Sequence, residues 1–137
     1  MSEQDERLEI ARRLCESFER RDNDYPFSVF DEDIVWDATG PADLRLPDEM
    51  RNVYRGHAGV RAFWSAWLDA WDRIEFDYEI VDLGDQVAAL IIRQRNHGRG
   101  SGIWVDQEPY AMVWTIEYGR VKRFEYAGLE ETRARTV

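Results

Sequence analysis

The sequence has a single cysteine, Cys15, so no disulfide can form within the chain and the cross-linked framework of a small secreted domain is excluded. No stretch approaches the ~20 consecutive apolar residues of a membrane-spanning helix. The opening residues Met1-Ser2-Glu3-Gln4-Asp5-Glu6 lack the basic start and apolar stretch of a secretory signal. These absences lead to the expectation of a cytoplasmic protein with no membrane partner. Positive charge is also scarce: 18 Lys and Arg face 28 Asp and Glu, for a formal net charge of -10. Such a field repels a phosphate backbone unless a basic stripe overcomes it, and the runs Arg20-Arg21 and Arg120 to Arg123 are too short for that. Nucleic acid is not an expected partner.

What the chain does have suits one packed domain spanning residues 1–137. Apolar residues make up 44% and aromatics 13%, enough for a core, while 34% charged residues provide a solvated surface. Leu8, Ala11, Leu14, Cys15 and Phe18 recur at helical spacing over 5–21, with Ser2 placed to cap the start and Arg20-Arg21 favouring the end. A short helix is expected from Asp24, with Pro26 in its first turn. Asp33 to Ala38 reads as a strand in which Val35 and Asp37 share one face and Ile34 and Trp36 the other. Residues 40–55 read as a long loop of the kind that covers a site. Gly59 to Arg73 repeats Val60, Phe63, Trp64, Trp67, Leu68 and Trp71 at helical spacing.

From Ile74 onward the pattern becomes strands at about 75–83, 86–97, 103–117 and 120–127, joined by turn signals such as Tyr118-Gly119. Short connections require antiparallel hairpins, so the fold class is α+β, with helices packed on one face of a bent sheet. The strand from 86 is apolar on both faces over its first half. Helices cover one face only, which leads to the expectation of a homodimer through the outer surface of 86–97 and 103–117.

Several blocks then resemble a known family: Phe30-Asp31-Glu32-Asp33-Ile34-Val35-Trp36-Asp37, Tyr54-Arg55-Gly56-His57-Ala58-Gly59-Val60-Arg61, His97 to Gly102, Val113-Trp114-Thr115-Ile116, and Gly119-Arg120-Val121 with Phe124-Glu125-Tyr126. In this order they are similar to the SnoaL-like branch of the nuclear-transport-factor-2-like superfamily, which also holds ketosteroid isomerase, limonene epoxide hydrolase and polyketide cyclases. The resemblance implies a conical half-barrel with a pocket between sheet and helices, a homodimer, and no metal or organic cofactor. It identifies the fold far more narrowly than the reaction, because one scaffold hosts many chemistries.

Asp37 is the candidate catalytic residue. It ends a strand among apolar neighbours, where burial would raise a carboxylate toward useful proton transfer, and it resembles in position the proton-abstracting aspartate of the isomerase branch. The alternative is a strand-end acid bonding a turn amide. The isomerase pattern also needs oxyanion donors, yet Met112 stands where the acid, or in many relatives a histidine, would be, and the first helix has no tyrosine. Tyr54, Trp64, Tyr110, Met112, Trp114, Phe124 and Tyr126 are the candidate ligand-binding wall.

Arg93, Arg95 and His97 share strand parity. They suggest either an epoxide-hydrolase-like site with Asp37 or a charge ladder on the outer face, while Asp106 and Glu108 stay unoriented because a bulge near Pro109 would flip their side. His57 and His97 stand too far apart, with no clustered cysteines, to suggest a metal site, and Cys15 reads as a small core hydrophobe. Two functions are therefore carried forward. One is a cofactor-independent isomerase, cyclase or hydrolase on an apolar substrate. The other is a non-catalytic binder of a hydrophobic metabolite, with a protein-interaction module as a further option.

Overall fold

The apolar stripe near the N-terminus forms helix α1 (Glu3–Arg20), whose start is capped by Ser2 Oγ accepting the Asp5 N–H at 3.0 Å. The computed structural model describes residues 2–41, 44 and 46–137. Helix α2 (Asp24–Val29) runs directly into strand β1 (Phe30–Asp37). The segment expected to be loop contains a 3-10 turn (Asp48–Met50) and a short strand β2 (Val53–Arg55) paired with the end of β1. Its residues 42, 43 and 45 lie outside the described residues, so the lid expectation does too.

Helix α3 (Gly56–Ala70) begins three residues earlier than the periodicity indicates, because Gly56 takes φ +69° and lets the chain turn close to the Glu32 carbonyl. It also ends earlier, at Ala70. Trp71 already belongs to strand β3 (Trp71–Asp82), without an intervening loop. Two guanidinium groups secure that junction: Arg21 donates to the carbonyls of Trp71 and Asp72 (3.2 and 2.9 Å), and Arg99 to those of Leu68 and Trp71 (3.1 and 3.3 Å).

Strands β4 (Val87–Gly98), β5 (Trp104–Gln107), β6 (Tyr110–Glu117) and β7 (Arg120–Ala127) complete a curved, unclosed sheet in the order β2-β1-β7-β6-β4-β3, with β5 beside the far half of β4. Among the described residues only β1 and β7 pair in parallel. The expected strand 103–117 is divided at Glu108-Pro109, where proline has no N–H to give a ladder. The β6–β7 hairpin turns on Tyr118 and Gly119, both at positive φ (52° and 73°), as a two-residue hairpin turn requires.

A register shift between Asp77/Tyr78 on β3 and Ile91/Arg93 on β4 leaves Ile92 unpaired. Before it, Val87, Ala89 and Ile91 point into the main core under α1 and α3; after it, the buried side chains are Gln94 and Asn96, with Arg93 exposed and Arg95 half-exposed. One unpaired residue has inverted the alternation of the strand. Arg95 consequently lies on the outer face, level with Glu75 and Asp106 on the neighbouring strands and against the Trp104 ring. The charge ladder is thus the arrangement that forms.

The strand from Val87 is indeed buried on both faces, but its second cover is the chain itself. Val81, Leu83, Ala88, Leu90, Ala111 and Val113 form a separate cluster packed against Ala127 and Leu129, the latter from a C-terminal helix, α4 (Leu129–Ala134). That helix is fastened by Arg135 donating to Gln86 Oε1 (2.6 Å) and by the Val137 N–H to the Asp82 carbonyl (3.2 Å). The reason given for a dimer therefore fails, since Ala88, Leu90, Ala111 and Val113 are fully buried within one copy. Six residues among charged neighbours carry too little periodicity to reveal α4 in the sequence. No helix among the described residues is long and apolar enough to cross a membrane.

Candidate functional site

Alternation along β1, β6 and β7 sends Trp36, Met112, Phe124 and Tyr126 to the face covered by α1 and α3, where they meet Phe63, Trp64 and Trp67 from α3. Between them lies a pocket of about 820 Å³, mouth included. The aromatic wall is continuous. Trp64 meets Trp36 edge-on at 5.6 Å, Trp36 stacks on Phe124 at 3.8 Å, Phe124 meets Tyr126 at 4.7 Å, and Tyr126 meets Tyr110 at 5.7 Å. Leu44 and Leu46 close one side, and exposed Arg21 and Asn23, with Asp22, form the rim at the α1–α2 corner.

The far wall is polar and uncharged. The Tyr110 hydroxyl donates to Gln94 Oε1 at 2.6 Å, and Gln94 Nε2 donates to Asn96 Oδ1 at 3.1 Å. Gln107 stands opposite Gln94 in register and also lines the pocket; each is only 7% exposed. Burial pushes the Tyr110 phenol well above its ordinary value, with Tyr126 and Cys15 adding to the effect. Tyr126 rises too, through burial and then the nearby Tyr54. Both phenols are neutral at pH 7, and the Tyr110 hydroxyl acts as a hydrogen-bond donor rather than a base. The Trp36 indole N–H, in a residue 3% exposed, finds no hydrogen-bond partner among the described residues.

Five of the seven expected wall residues come together here: Trp64, Tyr110, Met112, Phe124 and Tyr126. Tyr54 does not line the pocket; it packs on Phe63 and donates its hydroxyl to the Met50 carbonyl at 3.1 Å. Trp114 is fully buried behind the wall, tilted against Phe124, and is core rather than lining.

Asp37 requires the larger correction. The parity reading is right, but the face is reversed: Trp36 takes the pocket and Asp37 the opposite side. A ring stacked on Phe124 buries far more apolar surface than Val35 and a carboxylate would, and that decides the strand's orientation. On the outer side Asp37 Oδ2 accepts from Arg123 Nη2 at 2.6 Å, and Oδ1 accepts from the Thr39 N–H at 2.9 Å and from the Thr39 hydroxyl. Partial burial works to raise its pKa, but the Thr39 bonds and then Arg123 together outweigh that and hold the carboxyl below its ordinary range. It is a strand-end acid in an ion pair, outside the pocket.

The remaining candidates are structural. His57 Nε2 donates to the Phe30 carbonyl at 2.9 Å, tying the start of α3 to β1. His97 pairs with Asp72 on the outer face. Cys15 is fully buried, and burial pushes its thiol up, away from the nucleophilic thiolate. Gln94 and Gln107 were not anticipated. A signal existed in Arg93-Gln94-Arg95-Asn96-His97, where uncharged amides alternate with basic residues as they would across a strand with one covered face.

Comparison with known proteins agrees with this architecture. A family model described as a SnoaL-like domain matches residues 11–124. An NTF2-like protein of unknown function from Burkholderia pseudomallei is 24% identical over 100% of both chains, with a TM-score of 0.74. TerC, crystallised with polyporic acid, is 17% identical, covering 96% of this chain and 97% of its own, with a TM-score of 0.70. A protein from Jannaschia sp. CCS1, named as a SnoaL-like polyketide cyclase, is 18% identical over 92% of this chain and 88% of its own, with a TM-score of 0.73. Among curated proteins no sequence match is found. With its helix-covered curved sheet and a family match over most of its length, the chain belongs to the SnoaL-like domain family.

Proposed function

We propose that this chain binds a small, largely apolar molecule in the pocket and does so without proton transfer. The observation that carries this reading is the chemistry of the lining. It offers an unbroken aromatic wall and neutral amides and phenols, while its only charged members among the described residues, Arg21 and Asp22, belong to the rim. That the similarly folded TerC has been crystallised with polyporic acid supports a small-molecule occupant.

A cofactor-independent isomerase, cyclase or hydrolase is the second reading, favoured by the name of the Jannaschia relative. It would have to work without Asp37, whose carboxylate is held by Arg123 and Thr39 outside the pocket. The test is native mass spectrometry of freshly purified protein, followed by solvent extraction. The expected result is a bound small molecule that is absent from Met112→Trp, in which a larger ring fills the pocket. A ligand retained equally by that variant, or tryptophan fluorescence indifferent to saturating naphthalene, 2-naphthol and 2-naphthoate alike, would remove the reading.

A further inference from the structure

The hydrogen-bond chain on the far wall of the pocket has a direction, and the direction leaves particular atoms unused. Because the Tyr110 hydroxyl gives its hydrogen to Gln94 Oε1, the phenol oxygen is left as an acceptor. Because Gln94 Oε1 is the acceptor, its Nε2 must be the donor; one of its two hydrogens goes to Asn96 Oδ1 and the other does not. The pocket wall thus presents an acceptor and a donor side by side, on residues 6% and 7% exposed. Each of these two groups keeps one bonding position beyond the hydrogen bond it makes, and among the described residues no charged side chain lies on this wall.

Resting on the pocket-binding reading above, we propose that Tyr110 and Gln94 are the specificity-determining pair, selecting a neutral hydroxyl carried on an apolar ring system. The hydroxyl donates to the Tyr110 oxygen and accepts from the second Nε2 hydrogen of Gln94. A hydroxyl fits because it is donor and acceptor at one atom, whereas an ionised carboxylate can only accept, and the described residues of this wall supply it no cation.

Binding of naphthalene, 2-naphthol and 2-naphthoate, followed by quenching of tryptophan fluorescence, tests the proposal. Wild type should prefer 2-naphthol to naphthalene by about tenfold, the scale of one or two buried hydrogen bonds, and should bind 2-naphthoate more weakly than 2-naphthol. In Tyr110→Phe and in Gln94→Met that preference should fall toward one. Asp37→Asn, outside the pocket, should keep it, and circular dichroism verifies that each variant is folded. Naphthalene bound as well as 2-naphthol by wild type, or a preference untouched in both folded pocket variants, overturns the hydroxyl selection while leaving the binding reading intact. Failure of all three compounds to bind overturns both.

Discussion

Strands β1 and β7 carry two opposite chemistries on their two faces. On one side Trp36 stacks on Phe124; one residue along, Asp37 pairs with Arg123, with Glu125 nearby. The first pair is nearly or wholly closed to solvent, and in the second the Arg123 side chain is 41% exposed. Trp36 and Phe124 stand directly opposite in register, whereas Asp37, opposite Glu125, reaches diagonally to Arg123, the partner of Val35. Apolar area lost from water orients the strand. The ion pair occupies whichever side remains.

The largest effect that would break this comparison comes from the ring. Trp36→Ala should cost about 3–5 kcal/mol of unfolding free energy in denaturant titration, the usual cost of emptying an aromatic core site. A loss under about 1 kcal/mol would mean that the stacked face does not govern the strand. Next is the second apolar face, where Leu129→Ala should cost about 1–2 kcal/mol because Leu129 is only partly buried. The same variant should gain binding of a hydrophobic dye as Ala88 and Leu90 lose their cover. An unchanged melt would show that α4 is not what protects the face.

Asp37→Asn should be milder, about 1 kcal/mol or less at pH 7, since its partner is well exposed and solvent screens the pair. A carboxyl held below its ordinary value stabilises the fold above the unfolded-state pKa and ceases to do so as pH falls through the lowered folded value. The gap between wild type and variant should therefore be full at neutral pH and close in acid, below about pH 4. A gap that widens in acid would reverse the sign of the assigned shift. Arg95→Ala, on the exposed ladder, should stay within about 0.5 kcal/mol.

Legibility from sequence followed the same division. The helices α1 and α3, the hairpins and the aromatic wall were readable because each rests on a repeated spacing that burial enforces. Parity also grouped Asp37 with Val35 correctly. It could not say which group faces inward, because that depends on the rings supplied by β7 and α3, far away in the chain. Tyr54 and Trp114 were misplaced for a related reason: an aromatic residue on the proper face can stand beside a cavity or behind its wall, and depth has no signature in a one-dimensional pattern. Gln94 escaped notice because the register shift before it has no local marker beyond the adjacent isoleucines.

That shift at Ile92 makes the interior's electrical character a matter of counting. Were Ile92 paired in regular alternation instead of bulged, Arg93, Arg95 and His97 would turn to the pocket side and Gln94 and Asn96 outward, so the polarity of the far wall rests on a single unpaired residue. Deleting Ile92, by contrast, would keep Gln94 and Asn96 inward, because Tyr78–Ile91 and Asp77–Arg93 already follow one another as pairs.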